Sequence, residues 1–213
     1  GYIYNWIDVA IIGFFLTQAD VGIYEIAWQV TIPIALIAET TATTLFPQVS
    51  QWHANQSKEA ISRVMSQAAG AGLFASIPAF AGILVFSAPI LGVLFGPAYA
   101  AGATVLIILM AEKVVSSVGS VLNITLRAID EPREAAWATI GTVVTNLGLN
   151  VLLVPLYGIH GAAIATFCSV GLNGALTGYF LHRHIPIRLP VQLVSRIVLI
   201  SGVMALVLLP FRF

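Results

Sequence analysis

Seven apolar stretches follow one another along this chain, each equal or close to the length a helix needs to cross a bilayer. A hydrocarbon core about 30 Å thick takes roughly 20 residues of helix. The stretches run over about Tyr2–Leu16, Val21–Phe46, Gln67–Val93, Ala103–Leu126, Ala135–Val154, Gly161–Leu181 and Val191–Leu209. The connections are short, except for Pro47–Met65, where Ser57 followed by Lys58, Glu59 and Ala60 can open an interfacial helix with Ile61, Val64 and Met65 on one face. No stretch alternates with period two, which argues against a β-barrel. The expected fold is all-α, a polytopic transmembrane bundle of about seven spans.

Composition supports this reading and excludes others. Hydrophobic residues make up 59% of the 213 and charged residues 8%, against about 25% charged in ordinary globular domains. Nine basic and nine acidic residues cancel, so no nucleic-acid partner held by bulk charge is expected. Such high hydrophobicity excludes a disordered chain. Cys168 is the single cysteine, so there is no disulfide framework, and no Cys/His cluster has zinc spacing. No metal site and no cofactor are expected. The sequence opens on Gly1 inside an apolar stretch, so we expect a piece of a longer membrane protein with its first span truncated.

Basic residues set the orientation. With alternating spans, one side receives Lys58 and Arg63, then Arg127 and Arg133, then Arg183 and Arg188. The opposite connections, Thr17–Asp20, Leu94–Gly102 and Pro155–His160, contain no Lys or Arg. The basic side is therefore expected in the cytoplasm of a prokaryote, with the protein in its plasma membrane. Arg212, past the last span, is the exception. His182, Arg183 and His184 read as a positive-inside stop. Prolines at 33, 78 and 89 fall inside spans, where each removes a backbone donor and bends its helix. Small residues, among them Gly70, Gly72, Gly119 and the pair Gly174 and Gly178, mark close helix packing.

Polar residues inside the spans carry the functional reading, because a charge near the bilayer centre is costly and usually marks a site or a pair. At 1.5 Å per residue, Asp8 lies roughly 13 Å below the outer end of its span, Glu112 and Lys113 roughly 14 Å below that face, and Glu39 roughly 12 Å from the other. All four fall near the midplane and can line a polar cavity for an ion or polar substrate, or form an ion-pair cluster that holds helices together. Any proton or sodium coupling in this part of the chain must use one of the three acids. Asn146 and Asn150, spaced i, i+4, share one face and join them as pathway candidates. The hydroxyls of Thr40, Thr41, Thr43 and Thr44 can bond back to helix carbonyls. There is no G-x-S-x-G, H-E-x-x-H or Walker loop, so no catalytic residues are assigned and no enzyme is expected.

Three stretches resemble one family. Ile7-Asp8-Val9-Ala10-Ile11-Ile12-Gly13, with Asp20-Val21-Gly22-Ile23-Tyr24 after it, resembles the opening of a lobe in polysaccharide-biosynthesis flippases. Leu94-Phe95-Gly96-Pro97-Ala98-Tyr99 with Ala101 is similar to their outer turn. Asn150–Val154 and then Pro155-Leu156-Tyr157-Gly158-Ile159-His160-Gly161-Ala162-Ala163-Ile164-Ala165-Thr166 resemble their longest signature. The resemblance implies the C-terminal half of an oligosaccharide flippase of the multidrug/oligosaccharidyl-lipid/polysaccharide exporter superfamily. Residues 1–185 would be the second six-helix lobe and 186–213 an additional transmembrane helix. The implied partners are a lipid-linked sugar substrate, membrane lipids and an N-terminal lobe of the same chain. The implied activity is translocation of lipid-linked oligosaccharide or polysaccharide precursors across the cytoplasmic membrane by alternating access. A multidrug/cation antiporter and a lipid II flippase of the same superfamily are the alternatives.

Overall fold

A computed structural model describes residues 2–187 and 190–211. Arg188 and Arg212 lie outside the described residues. The elements are α1 (Tyr2–Phe15), α2 (Gln18–Thr43), α3 (Phe46–Ala54), α4 (Lys58–Phe95), a 3₁₀ turn (Pro97–Gly102), α5 (Ala103–Ala128), α6 (Pro132–Tyr157), α7 (Ile159–His182), α8 (Val191–Leu208) and a 3₁₀ turn (Leu209–Phe211). No strand occurs among the described residues. Six helical segments are long and apolar enough to span a membrane, and α1 is a shorter apolar helix. The expected all-α bundle of about seven spans is what forms.

Local chemistry explains the helix ends. Thr17 caps α2: its Oγ1 accepts from the Asp20 N–H, and the Asp20 carboxylate accepts in return from the Thr17 N–H at 3.0 Å, a capping box. The break between α6 and α7 sits at Gly158, whose φ of 61° and ψ of −143° favour a residue without Cβ. Three residues on, the Leu153 carbonyl lies where a Cβ of residue 161 would stand. The two glycines of the Gly-Ile-His-Gly run are thus a steric requirement of one tight turn between two spans.

The Pro47–Met65 connection differs from expectation. Its separate helix is α3, before Ser57, and the segment from Lys58 onward runs unbroken into the third span as one 38-residue helix. No Gly or Pro lies between Lys58 and Gln67 to stop it. Pro33 lies inside α2, and Pro78 and Pro89 inside α4; each helix continues past them. Ahead of Pro33, the Thr31 hydroxyl donates to the Trp28 carbonyl at 2.7 Å.

At the centre, α5 packs most extensively on α7 and also on α4 and α2. Gly119 of α5 faces Gly174 of α7, and Gly178 faces Leu122, so the small residues let these two backbones approach. Helix α1 docks on α6 and α2, and α8 packs chiefly on α4. Two apolar clusters close the ends of the bundle. One gathers Val49, Ile61, Leu126, Ile129, Ala135 and Ile185, and the other Ile12, Leu91, Val105, Val154 and Ile159. The connections bearing Lys58 and Arg63, Arg127 and Arg133, and Arg183 therefore meet at one end.

Candidate functional site

The described residues hold two polar regions inside the apolar bundle. The first is sealed. Asp8 on α1, Asn146 and Asn150 on α6, and Ser169 on α7 have no solvent exposure. Asp8 Oδ2 accepts from the Tyr24 and Thr166 hydroxyls, both at 2.6 Å. Its Oδ1 accepts from Asn150 Nδ2 at 2.8 Å and from Asn146 Nδ2 at 3.4 Å. Asn146 Nδ2 also donates to Thr166 Oγ1 and Ser169 Oγ. One carboxyl group thus joins α1, α2, α6 and α7. The i, i+4 spacing of the asparagines aims both amides at it. Each amide then leaves its Oδ1 buried without a hydrogen-bond partner. Buried orphan acceptors are uncommon and need an explanation. Here the same amides bond through Nδ2 to a carboxylate and to hydroxyls, and carboxylate, hydroxyl and amide oxygens are the donors that hard cations take.

The second region is open. A cavity of about 500 Å³ is lined by α2, α5, α6 and α7. Glu39, Glu112, Lys113, Asn123, Arg127 and Asn173 supply most of its polarity. Glu39 and Arg127 are exposed, whereas Glu112 and Lys113 keep only 3% and 7% of their surface. Lys113 Nζ lies 2.6 Å from Glu112 Oε2 and 6.0 Å from the centre of the Trp28 ring. Asn173 donates to Thr142 Oγ1 at 2.8 Å. The two regions touch at Thr166, which lines the cavity and donates to Asp8.

The six sequence candidates thus divide. Asp8, Asn146 and Asn150 meet in the sealed cluster, and Glu39, Glu112 and Lys113 border the cavity. The expectation that Asp8 shares the cavity with Lys113 is corrected: four donors enclose the carboxylate, and of these four described residues Thr166 alone lines the cavity. Tyr24, Thr166 and Ser169 escape a reading by polarity and depth alone. Yet Tyr24 and Thr166 end two of the stretches that resemble the flippases, so the motif itself carries that information. Trp28 lines the cavity, whereas Trp6 and Trp137 are largely exposed. Three of the four threonines after Glu39 bond back as expected, Thr41 to the Ile37 carbonyl at 2.8 Å, Thr43 to that of Thr40 at 3.0 Å and Thr44 to that of Thr41 at 2.9 Å.

A third group lies at the basic end. Glu131, Glu134 and His184 bring ligand atoms within 4.8 Å of one another, a proximity their sequence separation hides. His184 Nε2 is 3.2 Å from Glu134 Oε2, which ties the start of α6 to the connection before α8.

A sealed carboxylate cluster beside an open polar cavity, within helices long and apolar enough to cross a bilayer, is the interior of a multi-pass membrane protein. The profile of the lipid II flippase MurJ family matches residues 2–211, and the chain belongs to that family. It is 43% identical over 212 residues to the "probable low-salt glycan biosynthesis flippase Agl15" of Haloferax volcanii, covering 100% of this chain and 45% of that protein. It is 29% identical over 208 residues to the "probable flippase AglR" of the same organism, covering 96% and 44%. The chain therefore spans about half the length of the curated relatives it matches. A solved structure of lipid II flippase MurJ in an inward closed conformation superposes with a TM-score of 0.83 at 17% identity, over 99% of this chain and 45% of that one. That likeness concerns the fold.

Proposed function

We propose that this chain forms the C-terminal lobe of a flippase that carries a lipid-linked glycan across the cytoplasmic membrane by alternating access. Residues 1–185 form the six-helix lobe and the helix after residue 186 is an accessory. The observation that carries this reading is the cavity: a polar recess, reaching from Arg127 to Glu112 and Lys113, in a bundle whose outer faces are apolar. Such a wall gives a glycan head group hydroxyl, amide and charged partners while its lipid tail stays in hydrocarbon. The family membership and the glycan flippases among the relatives support the same substrate class. The end bearing Lys58, Arg63, Arg127, Arg133 and Arg183 faces the cytoplasm under the positive-inside rule.

The Asp8 cluster supplies the coupling. A small hard cation beside the Asp8 carboxylate, taking the Thr166 and Ser169 hydroxyls and asparagine amides turned to present their unpartnered Oδ1 atoms, would tie α1, α6 and α7 together. The test is transport of a fluorescent lipid-linked oligosaccharide by the full-length protein in proteoliposomes, scored by quencher accessibility. Transport above empty vesicles, stimulated by an imposed sodium or proton gradient, is expected. No transport above empty vesicles would overturn the flippase reading, and transport indifferent to both gradients would overturn the coupling.

A further inference from the structure

Five residues of α5 that line the cavity, Lys113, Ser116, Ser120, Asn123 and Arg127, recur every three or four positions, so they form one stripe down one helix face. From Lys113 to Arg127 the stripe covers about 21 Å. A cation stands at each end, with hydroxyls and an amide between. Among the described residues, these two are the only basic groups on the cavity wall.

Lys113 has no adequate structural explanation. Its partner Glu112 is its own neighbour in sequence, so the ion pair lies within α5 and, among the described residues, makes no salt bridge to another helix. Burying two charges costs more than such a pair returns unless further partners satisfy them. An ammonium group has three donors. From another helix it meets the Trp28 ring at 6.0 Å, the outer limit for a cation–π interaction. The arrangement is a cation held in place by an adjacent acid, at the inner end of a polar track that begins with the exposed Arg127.

Resting on the flippase reading, we propose that the α5 stripe is the path of the substrate's phosphate: Arg127 receives it at the cavity mouth, and Lys113 takes it at the midplane by exchanging Glu112 for the phosphate. The hydroxyls and amide between them bond to phosphate or sugar oxygens on the way. Glu112 is then a competitor for Lys113. Its neutralisation should tighten anion binding, whereas a pair that merely stabilises the bundle would lose binding when Glu112 is neutralised.

The experiment measures binding to the full-length protein in nanodiscs, by calorimetry, of three probes: geranylgeranyl phosphate, geranylgeraniol and inorganic phosphate. Geranylgeranyl phosphate should bind at least about tenfold more tightly than the alcohol, and inorganic phosphate far more weakly. K113M should remove that preference and leave alcohol binding unchanged. K113R should retain it, and E112Q should strengthen phosphate-lipid binding several-fold. R127Q should slow transport and flatten its salt dependence, with equilibrium affinity changed less than twofold. An undiminished phosphate preference in K113M, or an E112Q loss as large as that of K113M, would overturn the proposal while wild-type transport still upheld the flippase reading. Inorganic phosphate binding as tightly as the phosphate lipid would overturn it by making the site one for free anions. If K113M does not fold, E112Q and K113R decide by the same criteria.

Discussion

The sealed Asp8 cluster and the open cavity are built from the same kinds of residue, yet they solve opposite problems. Around Asp8, one carboxylate receives donors from three other helices and is closed to solvent. On the cavity wall, Glu112 is answered within its own helix and Glu39 stands exposed. A polar group that cross-links helices makes the bundle depend on it. One that is satisfied locally, or by water, ties no helices together and stays available to a ligand. This difference explains why midplane depth alone cannot rank such residues.

The largest expected effect comes from breaking the sealed side. Asp8→Ala strands the buried Tyr24 and Thr166 hydroxyls, while Asn146 and Asn150 keep other acceptors, and removing a partner from one buried group costs about 1–3 kcal/mol. We expect about 2–4 kcal/mol of lost stability, since the donors relax toward each other, read as a lower thermal midpoint of the full-length protein and lower abundance. Asp8→Asn keeps the volume and is expected to fold, but to abolish stimulation of transport by a cation gradient. Full gradient stimulation in Asp8→Asn would assign the cluster a structural role only.

Next is the pair on the open side. Lys113→Met alone leaves Glu112 buried and uncompensated, which should destabilise by about 2 kcal/mol or more. Because the pair sits within one helix, the double change Glu112→Gln with Lys113→Met should restore stability to within about 1 kcal/mol of the parent. It should not restore transport. A double variant as unstable as the single one would show that Lys113 binds some other element, and the contrast between the two regions would fail.

How far each region was legible in the sequence has the same physical origin. Span positions were readable because lipid demands long apolar runs, and the observed helices start and stop within a few residues of most of them. The fusion of residues 58–66 to α4 was not, since an amphipathic helix start looks the same whether or not it continues. Asp8, Asn146 and Asn150 could be singled out as intramembrane polar residues, but their meeting depends on α1 docking against α6, 138 to 142 residues away in sequence. No periodicity carries that. Glu112 and Lys113 were readable as a pair because they are neighbours. The convergence of Glu131, Glu134 and His184 was invisible for the reason that hid the Asp8 cluster.

Thr166 offers a smaller and sharper test, because among the described residues it alone belongs to both regions. Thr166→Val removes one hydrogen bond to Asp8 at nearly constant volume, so stability should fall by only about 1 kcal/mol. The sensitive readout is the coupling: sodium should raise the affinity for a phosphate lipid in the parent, and that enhancement should shrink in Thr166→Val while affinity without sodium holds. An enhancement of undiminished size would mean that the two regions communicate by another route.

The smallest perturbation tests the sealed and open assignments directly, in a Cys168→Ala background that removes the exposed native thiol. Ser120 lines the cavity and Ser169 lies in the sealed cluster. Serine-to-cysteine changes add little volume, so stability should move by no more than about 0.5 kcal/mol at Ser120. A membrane-impermeant maleimide should label Ser120→Cys in purified protein and leave Ser169→Cys untouched until denaturation. Two surface positions report sidedness in intact cells. Ala98→Cys, in the turn without Lys or Arg, should react at once, and Ser57→Cys, beside Lys58, only after permeabilisation. Reaction at Ser57 but not at Ala98 would reverse the orientation and put Arg127 at the outer mouth. Rapid reaction at Ser169 would show that the Asp8 cluster opens to water, and the two regions would then be parts of a single cavity.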